Sequence, residues 1–370
     1  MGKRWIWAVT VTAALATAAA AFGKPADARL TDLSVYLGAV SGLADGAGLY
    51  DFSRGAAPFT YPPFAALLVT PLTWLPVGVV QAAWTLATLA TVAGLAALVT
   101  RHRHSPATAV LALALMLSAP VSSDVKYGQV SLFLAALVAA DFLALRRTPW
   151  HGALIGLAAA VKLTPLIFIP LLWFAGRRTA AAVAAATFAG CAAIAAATLP
   201  GDSWAYWTDK IFQVDRLGYI DGVGNQSLNG ALLRLGIAAD ARSTLVVAIG
   251  GTVAVAALIR AVRLARRHDW LSAVIVVGAA SVVLSPVSWT HHQIWLVLAV
   301  LLPVAGAQSL WRAAVLIIMI LPVPALGPPL FSESRLLLAI TVAALLPIAQ
   351  AAKPEPVTPP ARSTVAPGPR

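Results

Sequence analysis

Two short segments of the sequence contain acidic and imidazole side chains that could carry out acid–base chemistry. Asp32 precedes Tyr36 by four residues, so one helical turn would put both side chains on the same face. A carboxylate held in this way can act as a general base, whereas the structural alternatives are a solvated loop acid or a helix cap. The adjacent His291 and His292 can donate hydrogen bonds to a phosphate or carry a proton, or can simply cap a helix entrance.

Isolated basic residues indicate candidate anion-binding groups, and the histidine spacing and the single cysteine argue against metal sites and disulfides. Lys162 lies among apolar residues that would bury it, so its side chain either snorkels to the membrane interface or takes a paired or anion-binding role. Arg234 is expected to snorkel to the interface. Two adjacent histidines project about 100° apart on a helix, so they are poor joint ligands and we expect no metal site. The sequence has one cysteine and no Walker loop or dinucleotide-binding turn, so no disulfide and no cofactor are expected.

The composition excludes an ordinary soluble protein. Of the 370 residues, 60% are hydrophobic and 11% charged, and the mean hydropathy is +0.83. Soluble domains carry roughly 25% charged residues, because their surfaces must face water. At about 20 apolar residues per transmembrane helix, the chain has room for ten to thirteen spans. The apolar runs predict an all-α polytopic integral membrane protein with about 12 transmembrane helices.

The distribution of charge predicts the orientation of these helices. The net charge is +12, and 16 of the 26 lysines and arginines fall in a set of connections that would all lie on one side, together with both termini. The positive-inside rule makes that side the cytoplasm. Eleven of the 14 acids fall on the opposite side, where the polar chemistry would then take place. Because topology accounts for the excess positive charge, no nucleic-acid partner is expected.

Two longer polar loops and one interrupted apolar stretch are expected to build the site. The loops run over residues 23–60 and 200–242, both on the outer side. The stretch from Trp150 to Phe174 has arginine pairs at both ends, so it must turn back near Lys162 as short, broken helices. Such breaks are tolerated where they are buried in protein or line a cavity. Residues 1–350 would form a single transmembrane domain, and the Pro-rich residues 351–370 a disordered cytoplasmic tail.

Several short motifs occur together in a fixed order along the chain. They comprise Asp32-Leu33-Ser34-Val35-Tyr36, Gly48-Leu49-Tyr50-Asp51, Phe59-Thr60-Tyr61-Pro62-Pro63-Phe64, Gly128-Gln129-Val130, Lys162-Leu163-Thr164-Pro165, Gly224-Asn225-Gln226-Ser227 and Ser285 to His292. The set resembles glycosyltransferase family 87, whose members are GT-C-type membrane mannosyltransferases that use polyprenyl-phosphate mannose. One departure is that Val130 and Ser131 follow Gln129 where the family has an asparagine nearby.

The resemblance implies a function and a role for each candidate residue. It implies an inverting transfer of mannose, with an α-1,2 linkage, from polyprenyl-phosphate mannose to a glycolipid or lipoglycan acceptor. The reaction would take place at the outer face of the plasma membrane, among membrane lipids. Asp32 would be the catalytic base. His291, His292 and Lys162 would bind the donor phosphate, and the sugar or acceptor would contact Tyr36, Asp51, Tyr61, Asn225, Gln226 and Trp289.

The alternative function is a transporter or flippase for a lipid-linked sugar, because broken helices and intramembrane ionisable groups also mark transport pathways. A transporter of this kind should place polar residues at mid-membrane on both sides of a pseudo-symmetric repeat. Here the acids gather on one side, and no repeat is visible in the sequence. We therefore expect a transferase.

Overall fold

The chain forms an all-α membrane protein with very little sheet. The computed structural model describes residues 2–101 and 106–349. Within those residues the paired strands are confined to one two-residue hairpin, β1 (Ser53–Arg54) and β2 (Ala57–Pro58). The predicted tail, residues 351–370, lies outside the described residues.

Eighteen α-helices are assigned in the described part of the chain, many of them short. The first nine are α1 (Gly2–Phe22), α2 (Thr31–Gly42), α3 (Pro63–Val69), α4 (Val77–Thr100), α5 (Pro106–Leu117), α6 (Ala119–Tyr127), α7 (Ser131–Ala140), α8 (Ala153–Val161) and α9 (Phe168–Phe174). The other nine are α10 (Arg178–Thr198), α11 (Pro200–Thr208), α12 (Leu228–Arg234), α13 (Ala239–Arg266), α14 (Trp270–Leu284), α15 (Ile294–Leu298), α16 (Gln308–Ile320), α17 (Pro329–Ser332) and α18 (Ser334–Ile340).

Only some of these helices are long enough to cross a bilayer on their own. A hydrocarbon core of about 30 Å needs about 20 helical residues. Within residues 2–101 and 106–349, four helices meet that length and are apolar: α1, α4, α10 and α13. The pair α5 and α6, bent by 60° at its junction, could form a fifth span. Seven further apolar helical segments are shorter, so the predicted number of about twelve crossings is not confirmed.

The interruption near Lys162 occurs where the sequence predicts it, whereas the bend between α5 and α6 was not predicted. α8 ends at Lys162, whose backbone is extended, and a 3₁₀ turn over Thr164–Ile167 precedes α9. This confirms the predicted break inside the stretch from Trp150 to Phe174. Proline begins α3 at Pro63, because its fixed φ suits a first helical turn and its missing N–H is not needed there.

Close backbone contacts hold the broken segment in place. A Cβ atom built on Gly152 or Gly156 would lie 2.0 Å or 2.3 Å from a backbone carbonyl oxygen of α10, so only glycine allows α8 to approach α10 this closely. The fully buried Asp141 carboxylate accepts hydrogen bonds from the backbone N–H groups of Gly152 and Leu154, at 2.8 and 2.9 Å, at the start of α8. It also accepts from the backbone N–H of Ile155 at 3.3 Å and lies 2.7 Å from His151 Nδ1. Asp141 is therefore part of the core.

Candidate functional site

A cavity of about 890 Å³ collects most of the residues predicted to do chemistry. Its walls come from α2, the β1–β2 hairpin, the end of α6, the break after α8, the loop before α12 and the segment before α15. Seven of the ten predicted site residues line it: Asp32, Tyr36, Tyr61, Lys162, Trp289, His291 and His292. Segments far apart in the sequence thus meet around one space large enough for a sugar and its phosphate.

Asp32 is placed by the first turn of α2 and held by a glutamine. Leu30, two residues before Asp32, is fully buried. Its backbone is left-handed (φ 42°), which is uncommon for a residue other than glycine, asparagine or aspartate. Asp32 Oδ2 accepts a hydrogen bond from Gln129 Nε2, and Thr31 Oγ1 lies 3.4 Å from Oδ1. Burial raises the pKa of the Asp32 carboxyl, and Gln129 and Lys162 oppose that shift. The carboxylate is a stronger base than a solvated aspartate.

A chain of hydrogen bonds behind Asp32 has a defined direction. Tyr61 Oη donates to Gln129 Oε1 at 2.7 Å, which uses the one hydroxyl hydrogen of Tyr61. Tyr36 Oη, 2.8 Å from Tyr61 Oη, must therefore be the donor in that pair. Donation runs from Tyr36 through Tyr61 and Gln129 to Asp32. The two tyrosine hydroxyls are thus engaged with this network, and their ring faces are what they can offer to a sugar.

Gln129 is the main residue that sequence reasoning missed. It follows Gly128, which has a positive φ of 70° and whose position is so crowded that a Cβ would lie 2.8 Å from Leu33 Cβ. The neighbouring Asp124 is fully buried, and its Oδ2 accepts from the backbone N–H of Leu132 at 2.9 Å. The tight Gly-Gln turn was the available signal. Its pairing with Asp32, 97 positions earlier, is visible only in the fold.

The predicted phosphate ligands form a second group in the same cavity. Lys162 Nζ lies 2.7 Å from His292 Nε2 and 5.1 Å from the centroid of the Tyr61 ring. The backbone N–H of Trp289 donates to His292 Nδ1 at 3.2 Å, which orients the imidazole. His291 Nδ1 lies 3.5 Å from Ser123 Oγ. Within the described part of the chain, His291 Nε2 is buried without a hydrogen-bond partner, so it is available to a ligand.

Three predicted sugar-binding residues do not line the cavity. Asn225 Oδ1 accepts from the backbone N–H of Ser288 at 2.8 Å, and Gln226 Oε1 accepts from the backbone of Arg335 and Leu336, both at 3.1 Å. Both side chains are fully buried, so their amides join loops and do not reach a substrate directly. Asp51 is exposed, and its Oδ2 accepts from the backbone N–H of Gly48 at 3.1 Å within a turn.

Arg234 also differs from its predicted surroundings. Its guanidinium binds Glu333 through two nitrogens, at 2.7 and 2.6 Å, and the carbonyl of Gly222 at 2.9 Å. This two-pronged ion pair replaces the expected snorkelling position. Because Gly222 lines the cavity, the ion pair helps to fix the wall.

Comparisons with known proteins agree on one family. The model of glycosyltransferase family 87 matches residues 59–286, a range that leaves out Asp32, His291 and His292. A polyprenol-phosphate-mannose-dependent alpha-(1-2)-phosphatidylinositol mannoside mannosyltransferase of Mycobacterium tuberculosis is 39% identical over 265 residues, covering 66% of this chain and 61% of that protein. The chain thus spans about three fifths of this relative's length, 61%.

A second relative covers more of the chain. A polyprenol-phosphate-mannose-dependent alpha-(1-2)-phosphatidylinositol pentamannoside mannosyltransferase of Mycolicibacterium smegmatis is 35% identical over 319 residues, covering 82% of this chain and 76% of that protein. No solved structure matches the chain.

Proposed function

The chain belongs to glycosyltransferase family 87, and from this membership we propose that it transfers mannose from a polyprenyl-phosphate donor to a glycolipid. The names of its relatives support an α-1,2 linkage and a phosphatidylinositol mannoside as the acceptor. A lipoglycan chain with terminal mannose presents the same chemistry. The proposal includes a GT-C-type bundle of about twelve crossings in residues 1–350.

The observation that carries this proposal is the pairing of one base with one cationic group in a single cavity. Among the described side chains that line it, Asp32 is the one carboxylate. Lys162 and His292 lie together on the same wall, linked to Asp32 through the Tyr61 ring and Gln129. A base for the incoming hydroxyl and a cation for the departing phosphate are the two groups that glycosyl transfer from a lipid phosphate requires.

In the proposed reaction, side chains of this protein accept the proton of the acceptor and stabilise the charge of the leaving group. The acceptor hydroxyl attacks the anomeric carbon of mannose, and its proton passes to the Asp32 carboxylate. As the new C–O bond forms, the bond between the anomeric carbon and the phosphate oxygen breaks, and its electron pair leaves with the polyprenyl phosphate. Lys162 and the histidines hold the charge that develops on that oxygen. A single displacement inverts a β-linked donor to an α-linked product.

The aromatic lining fits a sugar between these two groups. Tyr61 and Trp289 both line the cavity, and Tyr61 has Lys162 over its ring. Flat aromatic faces suit the C–H faces of a hexose, while the hydroxyl groups of the sugar can reach polar atoms around the aromatic rings. We assign Tyr36 to positioning Asp32 through its hydroxyl, and we assign Asn225 and Gln226 to holding the wall behind Trp289.

The proposed topology places the cavity at the outer face of the plasma membrane and both termini in the cytoplasm. In a Cys191→Ser background, single cysteines at the exposed positions Asp45 and Trp204 should react with an impermeant thiol reagent added to intact cells. Cysteines at Arg147 and Arg267, also exposed in the fold, should react only after permeabilisation. Labelling at Arg147 in intact cells would contradict the proposed sidedness.

The proposed activity can be tested with purified protein in lipid nanodiscs. We expect radiolabelled mannose to pass from polyprenyl-phosphate mannose to a phosphatidylinositol mannoside, and GDP-mannose to give no product. Among the described side chains that line it, the cavity offers one carboxylate and several cations, a set suited to a lipid phosphate. A transporter would give no glycosylated product, so absence of transfer from an intact preparation would refute the proposal. Product from GDP-mannose alone would assign a different donor.

A further inference from the structure

The cavity carries more positive charge than the proposed reaction uses. Besides Lys162, three basic side chains line it: Arg54, Lys210 and Arg216. Asp32 is the one acid among the described lining side chains, so this wall has a clear excess of cations. Clefts lined by one sign of charge favour ligands of the opposite sign. A single donor phosphate beside Lys162 leaves the other three without a role.

These three cations come from two segments that line the cavity: Arg54 from the β1–β2 hairpin, and Lys210 and Arg216 from the chain between α11 and α12. Arg216 Nη2 donates to the backbone carbonyl of Tyr50 at 2.8 Å, which fixes the guanidinium while leaving its other N–H groups for a ligand. The Tyr50 side chain then reaches inward, with its hydroxyl donating to the carbonyl of Tyr61 at 2.8 Å. Tyr61 is the ring under Lys162. Tyr50 and Tyr61 therefore stand between Arg216 and Lys162.

The other two cations are held loosely enough to meet a ligand. Lys210 pairs with Asp209 at 2.8 Å, but their side chains are 28% and 53% exposed, and such exposed pairs contribute little. Arg54 sits on the β1–β2 hairpin and donates to the carbonyl of Asp27, so its charge is not neutralised by that contact. All three side chains line the same cavity, and the hydrogen bonds and ion pair described for them involve neither Lys162 nor His292.

We propose that Arg54, Lys210 and Arg216 form a second anion subsite, which binds the phosphodiester in the headgroup of an anionic glycolipid acceptor. This inference rests on the proposed function, because it assigns residues of the same cavity to binding the acceptor. Both substrates of such a reaction are lipids with one phosphodiester each. Two phosphodiesters in one cavity need two separate sets of cations. The structure has Lys162 beside His292 and, on other segments of the lining, Arg216 beside Tyr50 together with Arg54 and Lys210.

The test compares an anionic with a neutral acceptor at a fixed donor concentration. The anionic acceptor is a phosphatidylinositol mannoside, and the neutral one is a synthetic alkyl α-mannoside with the same terminal sugar. We expect Arg216→Gln and Lys210→Gln each to lower the ratio of kcat/KM for the anionic over the neutral acceptor by about tenfold, as for loss of a charge-assisted contact. Arg216→Lys, which keeps the charge, should recover part of that ratio.

Arg242→Gln is the matched control, because Arg242 also lies in the predicted outer loop and donates to a backbone carbonyl but does not line the cavity. If Arg216→Gln lowers both acceptors equally, or raises the KM for the donor, the subsite is not for the acceptor. An unchanged ratio in Arg216→Gln, Lys210→Gln and Arg54→Gln would overturn the proposal. Transfer by the parent protein to the neutral acceptor tests the proposed function itself. If the parent transfers mannose to that acceptor, an unchanged ratio in the variants contradicts only the second subsite.

Discussion

Replacing Asp32 by asparagine is expected to reduce mannosyl transfer by on the order of 10²-fold or more. The amide keeps the size of the carboxyl and can still accept a hydrogen bond from Gln129, so the network behind it stays in place. It cannot take the proton of the acceptor hydroxyl. Asparagine caps a helix about as well as aspartate, so a structural role alone predicts little loss. Initial rates with both substrates saturating, and donor binding measured separately, give the comparison.

The pH dependence of the parent enzyme tests the same assignment. A general base must be ionised, so the rate should rise with pH through the pKa of Asp32. Burial raises that pKa above the ordinary value of 3.8, so the acid limb of kcat/KM should lie at a higher pH than a solvated aspartate would give. In the Asp32→Asn variant the residual activity should lose that limb.

Asp51→Asn is the control for Asp32→Asn. Asp51 lies in the same predicted loop, is exposed and only closes a turn with Gly48, so its variant should keep activity within a few-fold of the parent. Near-native activity in Asp32→Asn would remove the central claim. If the Asp51 variant were inactive and the Asp32 variant active, the base would have to be reassigned.

Local features of the fold were predictable because they depend on nearby residues. The face shared by Asp32 and Tyr36 follows from helical geometry, and both side chains do line the cavity. The break at Lys162 follows from arginine pairs at both ends of one apolar stretch and is confirmed. Family membership was also predictable, since the order of several short motifs carries it.

What the sequence could not supply are pairings between distant segments. Gln129 reaches Asp32 from 97 positions away, and Glu333 reaches Arg234 from 99. Asn225 and Gln226 lie in a segment that resembles a family motif, yet their amides are used by the backbone of other loops. In the sequence, a polar residue that binds substrate looks the same as one that joins two loops. Only the partners of each atom separate them.

Replacing Lys162 by methionine should lower kcat/KM for the donor by on the order of 10²- to 10³-fold, comparable to loss of one donor that stabilises an oxyanion. Methionine fills a similar volume, so packing against the Tyr61 ring is largely retained while the charge is lost. The leaving phosphate then departs into a cavity where His291 and His292 remain but the ammonium group does not. Lys162→Arg should retain part of the activity, because it keeps the charge in a different geometry.

Lys126→Met is the matched control for Lys162→Met, since Lys126 is exposed at the end of α6, lies 4.7 Å from the centroid of the Tyr127 ring and does not line the cavity. Its variant should behave like the parent. Thermal unfolding of each variant separates loss of function from loss of structure. If folded Lys162→Met kept near-native rates at limiting as well as saturating donor, the phosphate would have to bind elsewhere. Arg54, Lys210 and Arg216 would then be the remaining cations on the cavity wall, and they would be assigned to the donor instead of the acceptor.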